Sequence, residues 1–174
     1  MAQSFQPIET VWRGYRCRSR LEARWLVFFD ALDIRVRYEQ EGYQLSTGEW
    51  YLPDLYLPDV GWYAEIKPES PQGADFDKAY RLAQDSRKAV MLLNGPPDFL
   101  LYNVVFPHGP GEDPLVCDVL LDVDYHGRRF YDGQHRFFTD AGHANFCEES
   151  QFSPQYRAAV YAARGARFDG RDAA

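Results

Sequence analysis

The sequence predicts a mixed α/β fold: an αβββαβ core on a mixed sheet, then a β-rich extension ending in a helix. Three observations carry this reading. Two segments repeat apolar residues at helical spacing, several shorter apolar segments lie between and after them, and Gly, Pro, Asn and Asp punctuate the joints. A chain of 174 residues suits one domain, so residues 1–97 are read as the core and 98–174 as an extension packed on it.

The first helix is expected from Ser19 to Leu32, where Leu21, Trp25, Phe28, Phe29 and Leu32 share one face. Ser19-Arg20-Leu21-Glu22 has capping-box spacing and would start it. Arg35 to Gln40 alternates as a strand. Trp50 to Leu57 reads as a second, Pro58 to Gly61 as a tight turn, and Trp62 to Lys67 as the returning strand. Asp75 to Lys88 forms the second helix, burying Phe76, Ala79, Tyr80 and Ala83, and Ala89 to Leu93 a short apolar strand. Beyond Pro97, strands are expected at Phe99–Phe106 and Leu115–Val123, a small hairpin at Arg128–Phe138, and a helix at Ser153–Ala163 with Pro154 in its first position. The tail from Gly165 is expected to fray.

Composition narrows the function. Hydrophobic residues at 45% and aromatics at 16% supply a packed core, and no apolar run reaches the ~20 residues of a membrane helix. The opening MAQSFQPIET has neither a basic start nor an apolar stretch, so export is not expected. Three scattered cysteines suit a reduced, cytoplasmic setting. A net charge of −7 argues against a protein that coats nucleic acid. It leaves room for an enzyme with local positive charge, and Arg13, Arg16, Arg18, Arg20 and Arg24 concentrate such charge. Those arginines either grip phosphates or form a solvated helix entry paired with acids.

The chemistry centres on the hairpin. A four-residue turn at Pro58–Gly61 sets Asp54 opposite Glu65 with Cβ atoms about 4.5–5.5 Å apart, and alternation brings Lys67 to the face of Glu65. Facing carboxylates repel unless a proton or cation intervenes, and Mg²⁺ favours such oxygen ligands. The arrangement suits hydrolysis of a phosphate ester, with Lys67 orienting water or stabilising developing charge. A competing register places Pro58-Asp59 at the centre of a type I turn, with a bulge at Gly61. That one-residue slip would send one carboxylate to the other face. Taken singly, each residue has a plainer use: Glu22 as a cap, Asp54 as a strand start, Glu65 and Lys67 as a surface ion pair.

Pro53-Asp54, Glu65-Ile66-Lys67 and the helical Glu22 together resemble the PD-(D/E)XK nuclease superfamily, in particular transposon-end and small phage-borne nucleases. The resemblance covers roughly Trp12 to Gly95, and the ending Ala162 to Phe168 is similar to the phage-type members. It implies a restriction-endonuclease-like αβββαβ core, one or two Mg²⁺ ions (Mn²⁺ substituting), and cleavage leaving a 5′-phosphate. Asp54 and Glu65 would ligate metal, with the Ile66 carbonyl and Glu22, directly or through water. Lys67 would assist the attacking water. Gln84 is followed at four residues by Lys88, not by the tyrosine frequent in the exonuclease branch.

The resulting expectation is a Mg²⁺-dependent DNA endonuclease of phage or mobile-element type, acting alone, as a homodimer or with a recruiting protein. A second reading is a nuclease-fold protein that binds nucleic acid or a protein partner without cutting. His126, His135, His143, Cys117 and Cys147 lack the spacing of a zinc site. Tyr125, Phe130, Tyr131, Phe137 and Phe138 suit base stacking, or core and partner packing.

Overall fold

The computed structural model describes residues 7–39, 41–70, 72–109, 111–121 and 148–168. The elements are β1 (Thr10–Trp12), β2 (Tyr15–Cys17), α1 (Arg20–Ala31), β3 (Arg37–Tyr38), β4 (Tyr43–Gln44), β5 (Trp50–Tyr51), β6 (Leu55–Leu57), β7 (Trp62–Lys67), α2 (Ala74–Ser86), β8 (Val90–Asn94), β9 (Leu101–Phe106), β10 (Leu115–Leu120) and α3 (Pro154–Gly165). Six strands form one mixed sheet in the order β10-β9-β8-β7-β6-β3. In it β7 and β8 run parallel and the other neighbours antiparallel. The chain is therefore mixed α/β, as its pattern predicts. Because β9 pairs with β8, the sheet continues unbroken past residue 97.

Helix α1 starts where Ser19 Oγ accepts the Glu22 amide at 3.1 Å. Its inner face buries Trp25, Phe28 and Phe29 completely, each contributing about 1.5–3 kcal/mol by removal from water. The Trp25 indole also donates to Gly95 O at 2.9 Å, tying α1 to the loop after β8. Phe28 meets Tyr156 of α3 edge to face, so α1 and α3 share the core on one side of the sheet with Leu55, Leu57, Ala64 and Ile66. On the other side α2 lays Ala79, Leu82 and Ala83 against Tyr63, Val90, Leu92 and Val105.

The β6–β7 hairpin has the expected turn. The Gly61 amide donates to Leu57 O at 2.8 Å, and Leu55, Tyr56 and Leu57 oppose Ala64, Tyr63 and Trp62. Gly61 itself has φ +75°, a conformation glycine enters without Cβ strain.

Elsewhere the elements differ from expectation. The strand read from Trp50 to Leu57 is two: β5 pairs with β4 in a separate ribbon, and β6 begins only at Leu55. Arg35–Gln40 contracts to the two-residue β3, and β1 and β2 form an unforeseen hairpin before α1. The tail, expected to fray from Gly165, is described only as far as Phe168. Helix α3 runs through Gly165, and Phe168 docks edge-on against Trp12 with ring centres 6.2 Å apart. Among the described residues no helix is long and apolar enough to cross a membrane. The expected hairpin at Arg128–Phe138, the aromatics Tyr125 to Phe138, and His126, His135, His143 and Cys147 lie outside the described residues.

Candidate active site

The break before β6 builds the site. Extending the hairpin register past Leu55–Ala64 sets Asp54 opposite Glu65 and Pro53 opposite Ile66. Proline has no amide hydrogen, so it offers nothing to the Ile66 carbonyl on that rung. In place of a ladder bond, Asp54 Oδ2 accepts the Ile66 N–H at 2.7 Å. A residue in a strand directs its N–H and C=O to the same edge, so the Ile66 carbonyl faces the Asp54 side as well.

Among the described residues the charged residues buried as a whole are Glu22, Asp54 and Glu65, at 7%, 4% and 4% exposure, and the Asp59 side chain in the β6–β7 turn is also buried. Carboxylates withdrawn from water require compensation, and each has it. Glu65 Oε1 lies 2.8 Å from Lys67 Nζ, and its Oε2 accepts the Tyr51 hydroxyl at 2.6 Å. Asp54 Oδ1 accepts Arg18 Nη2 at 2.7 Å. Glu22 accepts the Arg18 amide and the Ser19 hydroxyl, each at 2.9 Å, and the Tyr38 hydroxyl. The capping box is thus altered: the Glu22 carboxylate reaches the amide one residue before the cap. Arg18, Arg20, Glu22, Asp54, Ile66 and Lys67 line one cavity of about 580 Å³ at the C-terminal end of β7.

The electrostatics are strained. Burial, then the Glu65 charge, pushes the Asp54 carboxyl up to about 7 against the pull of the Ile66 N–H and Arg18. Burial works to lower the Lys67 pKa, but its hydrogen bond and charge pairing with Glu65 leave it raised. The Tyr51 hydroxyl is raised by burial and by the Glu65 charge, and stays protonated as a donor. Cys17, buried nearby, is pushed up to about 12 by burial and the charges of Glu22 and Glu39, which makes it a poor nucleophile.

The five arginines divide. Arg18 and Arg20 line the cavity. Arg13 pairs with Asp30 at 2.6 Å, and Arg16 stands exposed 3.9 Å from Glu9. Arg24 donates to Ala163 O and Arg164 O at 2.6 and 2.7 Å, so its guanidinium satisfies the end of α3. Gln84 accepts from Arg81 at 2.7 Å on its own helix.

Sequence reasoning missed Tyr51, Tyr38 and Glu39. Glu39 holds φ +42°, donates its amide to Asp54 O at 2.9 Å, and places Oε1 2.6 Å from Arg18 Nε. Nothing in its spacing marks it. Tyr51, three residues before Asp54 on an apolar strand, carries a faint signal as a buried hydroxyl that needs a partner.

Among the described residues no three His, Cys, Asp or Glu side chains converge as a ready metal cage. The donors at the break are nevertheless hard oxygens: two buried carboxylates, the Ile66 carbonyl and Glu22 nearby. Mg²⁺ commonly binds through one or two carboxylates plus waters and substrate phosphate, so this set fits it without a closed cage. Comparison with models of known protein families gives no match, and none of the curated proteins matches the chain.

Proposed function

We propose that the protein is a metal-dependent nuclease of the PD-(D/E)XK type, hydrolysing phosphodiester bonds in nucleic acid, with DNA the favoured substrate. One observation carries the reading: the three acids predicted from the sequence are all buried at one end of β7, Asp54 paired with Arg18, Glu65 with Lys67, and Glu22 bonded to the Arg18 amide. Each of these two cations pairs with two carboxylates, Arg18 with Asp54 and Glu39 and Lys67 with Glu65 and Asp75, and Glu22 adds a fifth carboxylate nearby. The excess negative charge favours a dication, and a buried acid such as Asp54, its carboxyl pushed up and facing a cavity, marks a candidate functional site.

The order α1, β3, β6, β7, α2, β8 within the main sheet also supports a restriction-endonuclease-like core. So does a site at the carboxyl end of a strand with a parallel neighbour.

Asp54 and Glu65 would hold the ion, with the Ile66 carbonyl, and Glu22 at longer reach. When bound, Mg²⁺ supplies Lewis-acid chemistry, offsetting phosphate charge and acidifying water. The protein's own groups do the rest. Arg18 and Arg20 draw the phosphate into the cavity through charge-assisted hydrogen bonds. The Lys67 ammonium, held by Glu65, orients the attacking water and stabilises charge developing on phosphate oxygens. Tyr51 fixes the Glu65 rotamer from behind.

The test is incubation with plasmid, single-stranded DNA and RNA, with Mg²⁺, Mn²⁺ or a chelator. Cutting of at least one substrate is expected with metal, lost with chelator and in Asp54→Ala and Lys67→Ala. No cutting of any substrate across several ionic strengths would overturn the enzymatic reading in favour of a protein that binds without cutting.

A further inference from the structure

We infer that Arg18 is an exchangeable counterion: it occupies Asp54 in the metal-free protein and, when a cation arrives, swings to Glu39 and the substrate phosphate. The inference rests on the metal-dependent reading above. Its basis is the way one guanidinium spans two acids of different standing. Nη2 meets Asp54 Oδ1 at 2.7 Å, and Nε lies 2.6 Å from Glu39 Oε1. A dication on Asp54 Oδ1 would set its charge against the Arg18 guanidinium at close range, and that repulsion would displace the exposed Arg18 side chain.

Each surrounding group suits this exchange. The Asp54 side chain is 6% exposed and pinned through its other oxygen by the Ile66 N–H, so it stays in place when Arg18 leaves. The Arg18 side chain is 59% exposed, so it can leave without opening the core. Glu39 is held by the hydrogen bond that its backbone N–H donates to Asp54 O. Its Oε1 is shielded from solvent and, despite its nearness to Nε, has no aligned hydrogen bond. A buried carboxylate oxygen with unused acceptor capacity is costly. Rotation of the guanidinium away from Asp54 would let Glu39 accept it fully. The remaining N–H donors would then face the cavity, in the fork geometry that recognises phosphate. Arg18 thereby tempers repulsion among the acids at rest, and Glu39 is the positioning residue that retains it.

The test measures Mn²⁺ binding to the full chain by electron paramagnetic resonance. Alongside, it measures binding of a fluorescein-labelled DNA oligonucleotide, single-stranded and duplex, in Ca²⁺. Arg18→Ala is expected to bind Mn²⁺ on the order of tenfold more tightly while losing oligonucleotide affinity by a similar factor. Glu39→Gln is expected to bind Mn²⁺ more weakly, since Arg18 then has only Asp54 to pair with. Opposite shifts in the two variants are not what general structural damage produces. Should Arg18→Ala fail to fold, Arg18→Gln carries the same expectation. Unchanged Mn²⁺ affinity in the Arg18 variant, with binding lost in Asp54→Asn, would overturn the exchange and leave the metal site standing. Absence of Mn²⁺ binding in every form would overturn both.

Discussion

Two aspartate–arginine pairs flank strand β6, and they are opposite in character. Asp59, in the turn after the strand, accepts Arg35 Nε, Nη2 and backbone N–H at 2.8, 2.6 and 2.9 Å. Both carboxylate oxygens are engaged by Arg35, and the pair locks the turn. Asp54, before the strand, also has an arginine at 2.7 Å, yet its carboxyl is pushed up to about 7 by burial and the Glu65 charge. Similar contacts serve different ends because the second pair sits among surplus acids. A contact distance alone does not distinguish a structural ion pair from a functional one; the local charge balance does.

The largest expected difference between the pairs is in turnover. Asp54→Asn should reduce metal-dependent cutting by about a thousandfold or more, whereas Asp59→Asn should leave the rate near wild type and lower the melting temperature. Equal loss of activity in the two variants, measured on equally folded protein, would erase the distinction.

Next comes pH. In the unfolded chain the Asp54 carboxyl ionises near pH 4, about its ordinary value, but in the metal-free fold only near 7. Between these values the folded state holds the extra proton, so the contribution of Asp54 to stability falls as pH rises across that window. The melting temperature of the metal-free protein should carry this decline between about pH 4 and 7, with Mg²⁺ restoring stability most at the upper end. In Asp54→Asn the slope should flatten. A slope unchanged by the substitution would place its origin elsewhere.

Smaller effects sharpen the picture of the supporting residues. Tyr51→Phe removes a buried hydrogen bond to Glu65 and should cost about 1.5–3 kcal/mol in denaturant unfolding. No loss would mean that Glu65 finds another donor. Ser19→Ala should cost about 1 kcal/mol through the α1 cap, with a secondary loosening of Glu22.

The parts readable from sequence are those fixed by local rules. Apolar spacing and the Ser19 cap define α1, and the Pro58–Gly61 turn sets the register that sends Asp54 toward Glu65. What escaped was either too short to show a period or depends on contacts distant in sequence. The β1–β2 and β4–β5 hairpins use strands of two or three residues, too short for a period to show. The split at Pro53 arises because a side chain, Asp54, replaces a backbone partner. Charge clustering suggested five phosphate-facing arginines, but Arg24 is drawn to the end of α3, more than a hundred residues away, by a tertiary contact no local pattern encodes. Glu39, at positive φ, joins the site through the hydrogen bond its amide donates to Asp54 O and its contact with Arg18, neither of which its spacing encodes.

The most direct measurement is an anomalous-difference map from crystals grown or soaked with Mn²⁺. The account predicts one peak or two within coordination distance of Asp54, Glu65 and the Ile66 carbonyl, with Arg18 turned from Asp54. A map with no density there at saturating Mn²⁺, and Arg18 still seated on Asp54, would contradict it.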